Sequence, residues 1–301
     1  MGKILVPVDF SINCYNAFRY GMRLAEATGR EVLVAHYFRS SLGNENTGSQ
    51  SDYQSVAVEK IRQFVLPVNH LRDFDYEDFS VATKIFFESR PASNVAAAIR
   101  SRAEQEDIDI VVMGTKSSAA VHEKWLGSVS IRVSAVCDRP VFLIPPKVDF
   151  TPMKRIVVAN TSLVAEPYAL WQIKGLAELY SSKVYFVHVS RPETDGDLRF
   201  IPWQLMRELH DGEPAVGYNY TVAEVNDEDI SQGLLTYVAE IHADVLVMVN
   251  DTKSADQKII HETLTQDLAL RANLPIVVLH TESGREERIN NISTYGRFRE
   301  V

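Results

Sequence analysis

The stretch that decides the fold runs from Asp107 to Pro146: DIDIVVMGTKSSAAVHEKWLGSVSIRVSAVCDRPVFLIPP. Ile108 to Met113 is a short apolar run rich in β-branched residues, the pattern of a buried strand. Gly114 ends that run, and Thr115 to Glu123 reads as a polar loop. Around Gly127-Ser128, the residues Leu126, Val129, Val133, Val136 and Cys137 fall on one face of a helix. Pro140 stops the helix, and Val141 to Ile144 reads as a second buried strand. The order is therefore strand, glycine-containing loop, helix, strand. In a parallel sheet such a loop sits at the carboxyl end of a strand and feeds a helix N-terminus. Free backbone N–H groups and the helix dipole favour an anion there, phosphate above all.

The same alternation fills the chain upstream. Lys3 to Val8 (KILVPV) reads as a buried strand, followed by Asp9-Phe10-Ser11 and a helical pattern with Ala17, Gly21, Leu24 and Ala25 on one face. Gly29 suits the left-handed residue that closes that helix. Glu31 to Phe38 is a second strand, and Arg39 to Asp52, rich in Ser, Asn and Gly, a loop. Tyr53 to Leu66 reads as a helix, Phe79 to Phe87 as a strand, and Ala92 to Gln105 as a helix capped by Ser93 or Asn94. Strands alternating with helices predict right-handed crossovers and a parallel sheet covered on both faces.

Downstream the pattern begins again. Arg155 to Ala159 (RIVVA) matches Lys3 to Pro7 (KILVP). Without gaps, Ala17, Leu24, Ala25 and His36 fall on Ala169, Leu176, Ala177 and His188. Asp109 to Met113 falls on Asp244 to Met248, and Pro140-Val141 on Pro275-Ile276. A unit of ~140 residues, an ordinary domain size, occurs twice. The expected boundaries are a first domain at 1–146, a linker at 147–153, a second domain at 154–281, and a charged, poorly ordered tail at 282–301.

The 301 residues carry a net charge of -9, which argues against nonspecific nucleic-acid binding. No apolar run approaches the ~20 residues that span a bilayer, and Met1-Gly2-Lys3 leads straight into a strand, so neither a membrane segment nor a signal peptide is expected. Cys14 and Cys137 lie far apart and are expected to be buried thiols in a reducing cytoplasm. None of the eight histidines forms a short-spaced pair with Cys or carboxylate ligands, so no metal site is expected. Neither G-x-S-x-G nor a Walker sequence occurs.

Gly114, two residues, Ser117, nine residues, Gly127-Ser128: this spacing resembles the nucleotide loop G-x2-G-x9-G-[S/T] of the universal stress protein family, with Ser117 in place of the middle glycine. With the repeat, the whole chain is similar to a tandem, two-domain member of that family. The resemblance implies two Rossmann-like α/β domains of the adenine nucleotide alpha hydrolase type. Each would be a five-stranded parallel sheet of order 3-2-1-4-5. Ligands of open α/β sheets bind at the switch point, here between strands 1 and 4, which brings Asp9 beside Gly114.

The resemblance further implies ATP or another adenine nucleotide, with Mg2+ as a candidate companion, bound in the first domain. Pro7, Val8 and Asp9 would line the site, with Asp9 accepting from the ribose; the plainer reading is that Asp9 or Ser11 caps the first helix. Tyr37 matches the position whose backbone meets adenine, and Met113 either lines the base pocket or fills the core. Gly114, Ser117, Gly127, Ser128 and Val129 would cradle phosphate, or Gly127-Ser128 is an ordinary helix start. Lys116 and Lys124 would offset phosphate charge, or are solvated surface lysines, and His122 lies in the same loop. No catalytic residue is evident, so an enzyme is not expected, slow ATP hydrolysis aside. The expected role is stress-related or regulatory. The alternative is a scaffold without nucleotide, binding a protein partner or another small ligand; an adenylylating or hydrolytic enzyme ranks third.

In the second domain the equivalent loop looks degenerate. Asp9 becomes Thr161, or Asn160 with a shift of one; Gly114 becomes Val249; Ser117 becomes Thr252; Gly127-Ser128 becomes Glu262-Thr263, with Asp267 a turn further on. A carboxylate there would repel phosphate. The apolar closing strands, Val141 to Ile144 and Ile276 to His280, are expected to pair as an internal pseudo-dimer, with a homodimer of the chain also a candidate.

Overall fold

Strand β1 (Lys3–Pro7) is the centre of the first unit and is buried from Ile4 to Pro7. It pairs in parallel with β2 (Glu31–Phe38) on one side and with β4 (Ile108–Gly114) on the other. Strand β3 (Ile85–Pro91) lies outside β2, and β5 (Val141–Ile144) outside β4. The order is β3-β2-β1-β4-β5, as expected. All these pairings are parallel because each connection passes through a helix. The helices are α1 (Ile12–Thr28), α2 (Gln50–Val65), α3 (Val95–Ala103) and α4 (Ser128–Val136). In this computed structural model the chain divides into the units Met1–Phe150 and Thr151–Val301. The structure describes residues 2–38, 50–65, 83–115, 128–159, 167–190, 218–250 and 255–280.

Several elements differ from their expected bounds. Strand β3 was expected over Phe79 to Phe87, yet residues 83 and 84 precede the strand, which runs on to Pro91. Its place is set by its neighbour: Val32 to Phe38 of β2 pair with Ile85 to Pro91. Pro91, without an N–H, is tolerated at the end of an outer strand. Helix α2 begins at Gln50, inside the expected loop. Helix α3 is shorter than expected, because Asn94 caps it by accepting from Ala97 N at 3.2 Å. In α4 the buried face is not the apolar stripe alone: Ser130, Ile131, Val133, Ser134 and Cys137 are buried while Val129 and Val136 are half-buried. Ser134 tolerates burial because its hydroxyl donates to Ile131 O at 2.9 Å.

The second unit has strands β6 (Arg155–Ala159), β7 (Lys183–Ser190), β8 (Asn219–Asn226), β9 (Val245–Asn250) and β10 (Ile276–His280). Its order is β8-β7-β6-β9-β10, the same arrangement. Helices α5 (Pro167–Tyr180), α6 (Ile230–Glu240) and α7 (Ala255–Arg271) connect them. The repeat has a packing basis: Ala17, Leu24 and Ala25 on α1 and Ala169, Leu176 and Ala177 on α5 are all buried. Small alanines let each helix lie close on its sheet. No described helix is long and apolar enough to cross a membrane.

Candidate functional site

Four residues, Val8 to Ser11, turn the chain from β1 into α1. Ser11 is the N-cap: its Oγ accepts from Cys14 N at 3.3 Å. Asp9 is not the cap; its Oδ1 accepts from Ser11 N at 3.0 Å, closing a small turn of its own. At the far end of the helix Gly29, at φ 63°, donates its N–H to Ala25 O and closes it as expected.

Across from this turn stands the end of β4. A methyl group at Gly114 would lie 2.5 Å from Asn13 O and 2.8 Å from Asn13 C. The glycine therefore lets the first turn of α1 sit directly against the strand. That reason differs from the phosphate approach suggested by the loop spacing.

Between these elements lies a cleft of about 300 Å3, at the lower end of the roughly 300–1,000 Å3 typical of small-ligand sites. It opens at the switch point, where the order passes from β1 to β4. Of the residues expected from the sequence, Pro7, Val8 and Asp9 line it from the end of β1. Tyr37, Met113, Gly114 and Val129 line it too, drawn together from β2, β4 and α4. Ser128 opens α4 as expected. Lys116, Ser117 and Gly127, with His122 and Lys124, lie outside the described residues.

Other lining residues escaped the sequence reading. Val95 and Ile99, one turn apart on α3, complete an apolar wall with Val8 and Met113. Asn13, Thr115 and Ser130 add polar edges, and Ser11 and Cys14 line the α1 side. Thr115 and Ser130 adjoin predicted site residues, so adjacency was the available signal. Nothing in the pattern of α3 set Val95 and Ile99 apart from core positions.

The electrostatics of the cleft follow from these contacts. Burial acts to raise the pKa of Asp9, but hydrogen bonds from the Cys14 thiol and from Ser11 outweigh it and hold the carboxyl below its ordinary value. Burial, then the Asp9 charge, pushes the Cys14 thiol up to about 12. Cys14 is thus a neutral donor at physiological pH and not a nucleophile. Burial, then Glu88, also raises the Tyr37 phenol, whose oxygen has no hydrogen-bond partner among the described residues. His36 donates from Nδ1 to Val8 O at 2.8 Å and steadies the end of β1.

A family model described as the universal stress protein family matches residues 1–145. The first unit belongs to the universal stress protein family. The fold of the longer chain has solved counterparts. A universal stress protein from Archaeoglobus fulgidus DSM 4304 is 17% identical with a TM-score of 0.65, covering 93% of this chain and 98% of its own. A functionally unknown protein from Pseudomonas aeruginosa PAO1 is 10% identical with a TM-score of 0.54, covering 97% and 96%. At these identities the likeness is one of fold. In this universal stress protein domain the cleft lies where the end of β4 and the turn after β1 meet.

Proposed function

We propose that the first unit binds an adenine nucleotide, ATP or AMP, in the cleft between β1 and β4, and serves a stress-response or regulatory role in the cytoplasm. The observation that carries this reading is one juxtaposition. A carboxylate not used as a helix cap and the N-terminal turn of α4 line the same apolar-walled cleft. The wall of Val8, Val95, Ile99 and Met113 suits a planar base, Asp9 suits ribose hydroxyls, and Val129 and Ser130 at the start of α4 suit phosphate. Mg2+ would arrive with the triphosphate. We assign no catalytic residue: Cys14 is protonated, and Asp9 already accepts from Ser11.

We propose that the second unit does not bind nucleotide at its equivalent position. Val249, the counterpart of Gly114, is buried and carries a β-branched side chain. The contribution expected from Asp267 is weaker than its charge suggests, because Arg271 pairs with it at 2.9 Å. The burden of repulsion then falls on Glu262.

One sequence feature favours the scaffold reading, namely Ser117 in place of glycine. Mass spectrometry of small molecules released from the purified chain, with ATP and AMP titration by calorimetry, separates the two. Released adenine nucleotide or saturable binding is expected. Neither release nor binding would leave the scaffold.

A further inference from the structure

Phe10 sits between Asp9 and the N-cap Ser11 with φ 64°. A bulky residue in the left-handed region is an outlier, and such strain persists only where the surroundings enforce it. Three other described non-glycine residues share that region: Lys147, Ser181 and His242. Ser181 and His242 follow the ends of α5 and α6, where a left-handed residue is an ordinary way to finish a helix. Phe10 has no such excuse, since it precedes a helix.

The enforcement is visible in the packing of its ring. The Phe10 centroid lies 4.5 Å from that of His36 and 5.5 Å from that of Phe64, the latter edge-on at 86°. Lys60 Nζ stands 4.5 Å from the same ring. His36 is itself tied to Val8 O, the residue before Asp9. Phe64 also meets Tyr15 of α1 at 5.6 Å. The ring is thus gripped by β2 and α2, with Phe64 braced in turn by α1, while the carboxylate beside it lines the cleft.

We propose that Phe10 is the positioning residue of the cleft: its clamped ring holds the left-handed turn that fixes the Asp9 carboxylate. With Phe10 left-handed, Ser11 N faces Asp9 Oδ1 and the Ser11 side chain faces Cys14 N. With Phe10 in an ordinary right-handed or extended conformation, the direction of the chain between β1 and α1 changes and those two bonds cannot both form. The repeat is consistent with the assignment. The offset that places Thr161 on Asp9 places Ser162 on Phe10, so acid and ring are lost together. That the carboxylate meets a ribose rests on the nucleotide reading, whereas its placement by Phe10 does not.

The test therefore has two readouts on the full chain, for wild type, Phe10→Gly and Phe64→Leu. Glycine adopts the left-handed turn freely but cannot be clamped. Phe64→Leu loosens the clamp without touching the turn. The first readout is carboxyl NMR titration of Asp9, which should move up toward the ordinary carboxylate value in both variants. The second is preference for ATP over 2′,3′-dideoxy-ATP, expected at about tenfold or more in wild type for a charged hydrogen bond and reduced in both variants. An Asp9 titration unchanged in both folded variants overturns the proposal, whatever their thermal stability. Asp9 titrations raised in both variants, in a chain whose wild type binds no nucleotide, support the positioning role and defeat the nucleotide reading instead.

Discussion

At the scale of single residues, the roles of Asp9 and Ser11 divide cleanly. Sequence left either as the cap, and the structure gives the cap to Ser11. Asp9→Ala should therefore weaken adenine-nucleotide binding by about tenfold or more while costing less than the ~1 kcal/mol of a lost cap. Calorimetry beside chemical denaturation checks both; unchanged affinity with a full cap-sized loss of stability would refute the assignment. Asp107 is a second residue with a definite expectation. Hydrogen bonds from Arg102, at 2.7 and 3.0 Å, and from Lys3, at 2.9 Å, hold its pKa well below the ordinary 3.8 despite partial burial. A carboxylate depressed on folding contributes stability above its unfolded pKa and loses it as pH falls toward the folded value. Wild-type melting should thus decline below pH 3.8, and Asp107→Asn should show a shallower decline. At pH 7 the variant should melt lower by about 2–4 °C, since the pair is partly exposed. Scanning calorimetry from pH 3 to 7 reads both effects.

At the scale of elements, the contact between α1 and β4 sets how closely the helix lies on the strand end. Gly114→Ala places a methyl group 2.5 Å from the Asn13 carbonyl. The first turn of α1 must shift, which should cost about 1–3 kcal/mol and weaken nucleotide binding together. A variant with wild-type stability and affinity, measured by urea denaturation and calorimetry, would show that the helix gives way at no cost. The element reading also shows where patterns mislead. The apolar stripe of α4 located the helix but not its buried face, because Ser134, its hydroxyl bonded to Ile131 O, is as buried as Val133. The bounds of β3 followed β2 across the sheet, and no local pattern records a neighbour 50 residues away.

At the scale of the whole molecule, two units of one topology carry different site residues. The expected stoichiometry is one nucleotide per chain, with the affinity of that one site lowered by Asp9→Ala. Isothermal titration giving two sites, or one site whose affinity Asp9→Ala leaves unchanged, would move the binding to the second unit. The buried alanines of α1 and α5 are conserved between the units because helix-to-sheet distance depends on them. Val249, in place of Gly114, is buried within β9.

The sequence by itself determined the strand and helix alternation, the repeat, and hence the parallel sheet, because burial on both faces writes apolar runs and helical periodicity into the chain. It also determined most of the cleft from β1 and β4, since Asp9, Met113, Gly114 and Val129 follow strand ends or open a helix. Tertiary structure alone decided that Asp9 is not a cap, that Gly114 makes room for Asn13, that Val95 and Ile99 wall the cleft, and that Phe10 is left-handed. Each of those depends on contacts between residues far apart in the chain. Their energies belong to packing distances and dihedral angles, and residue type alone does not encode which neighbour will stand 3 Å away.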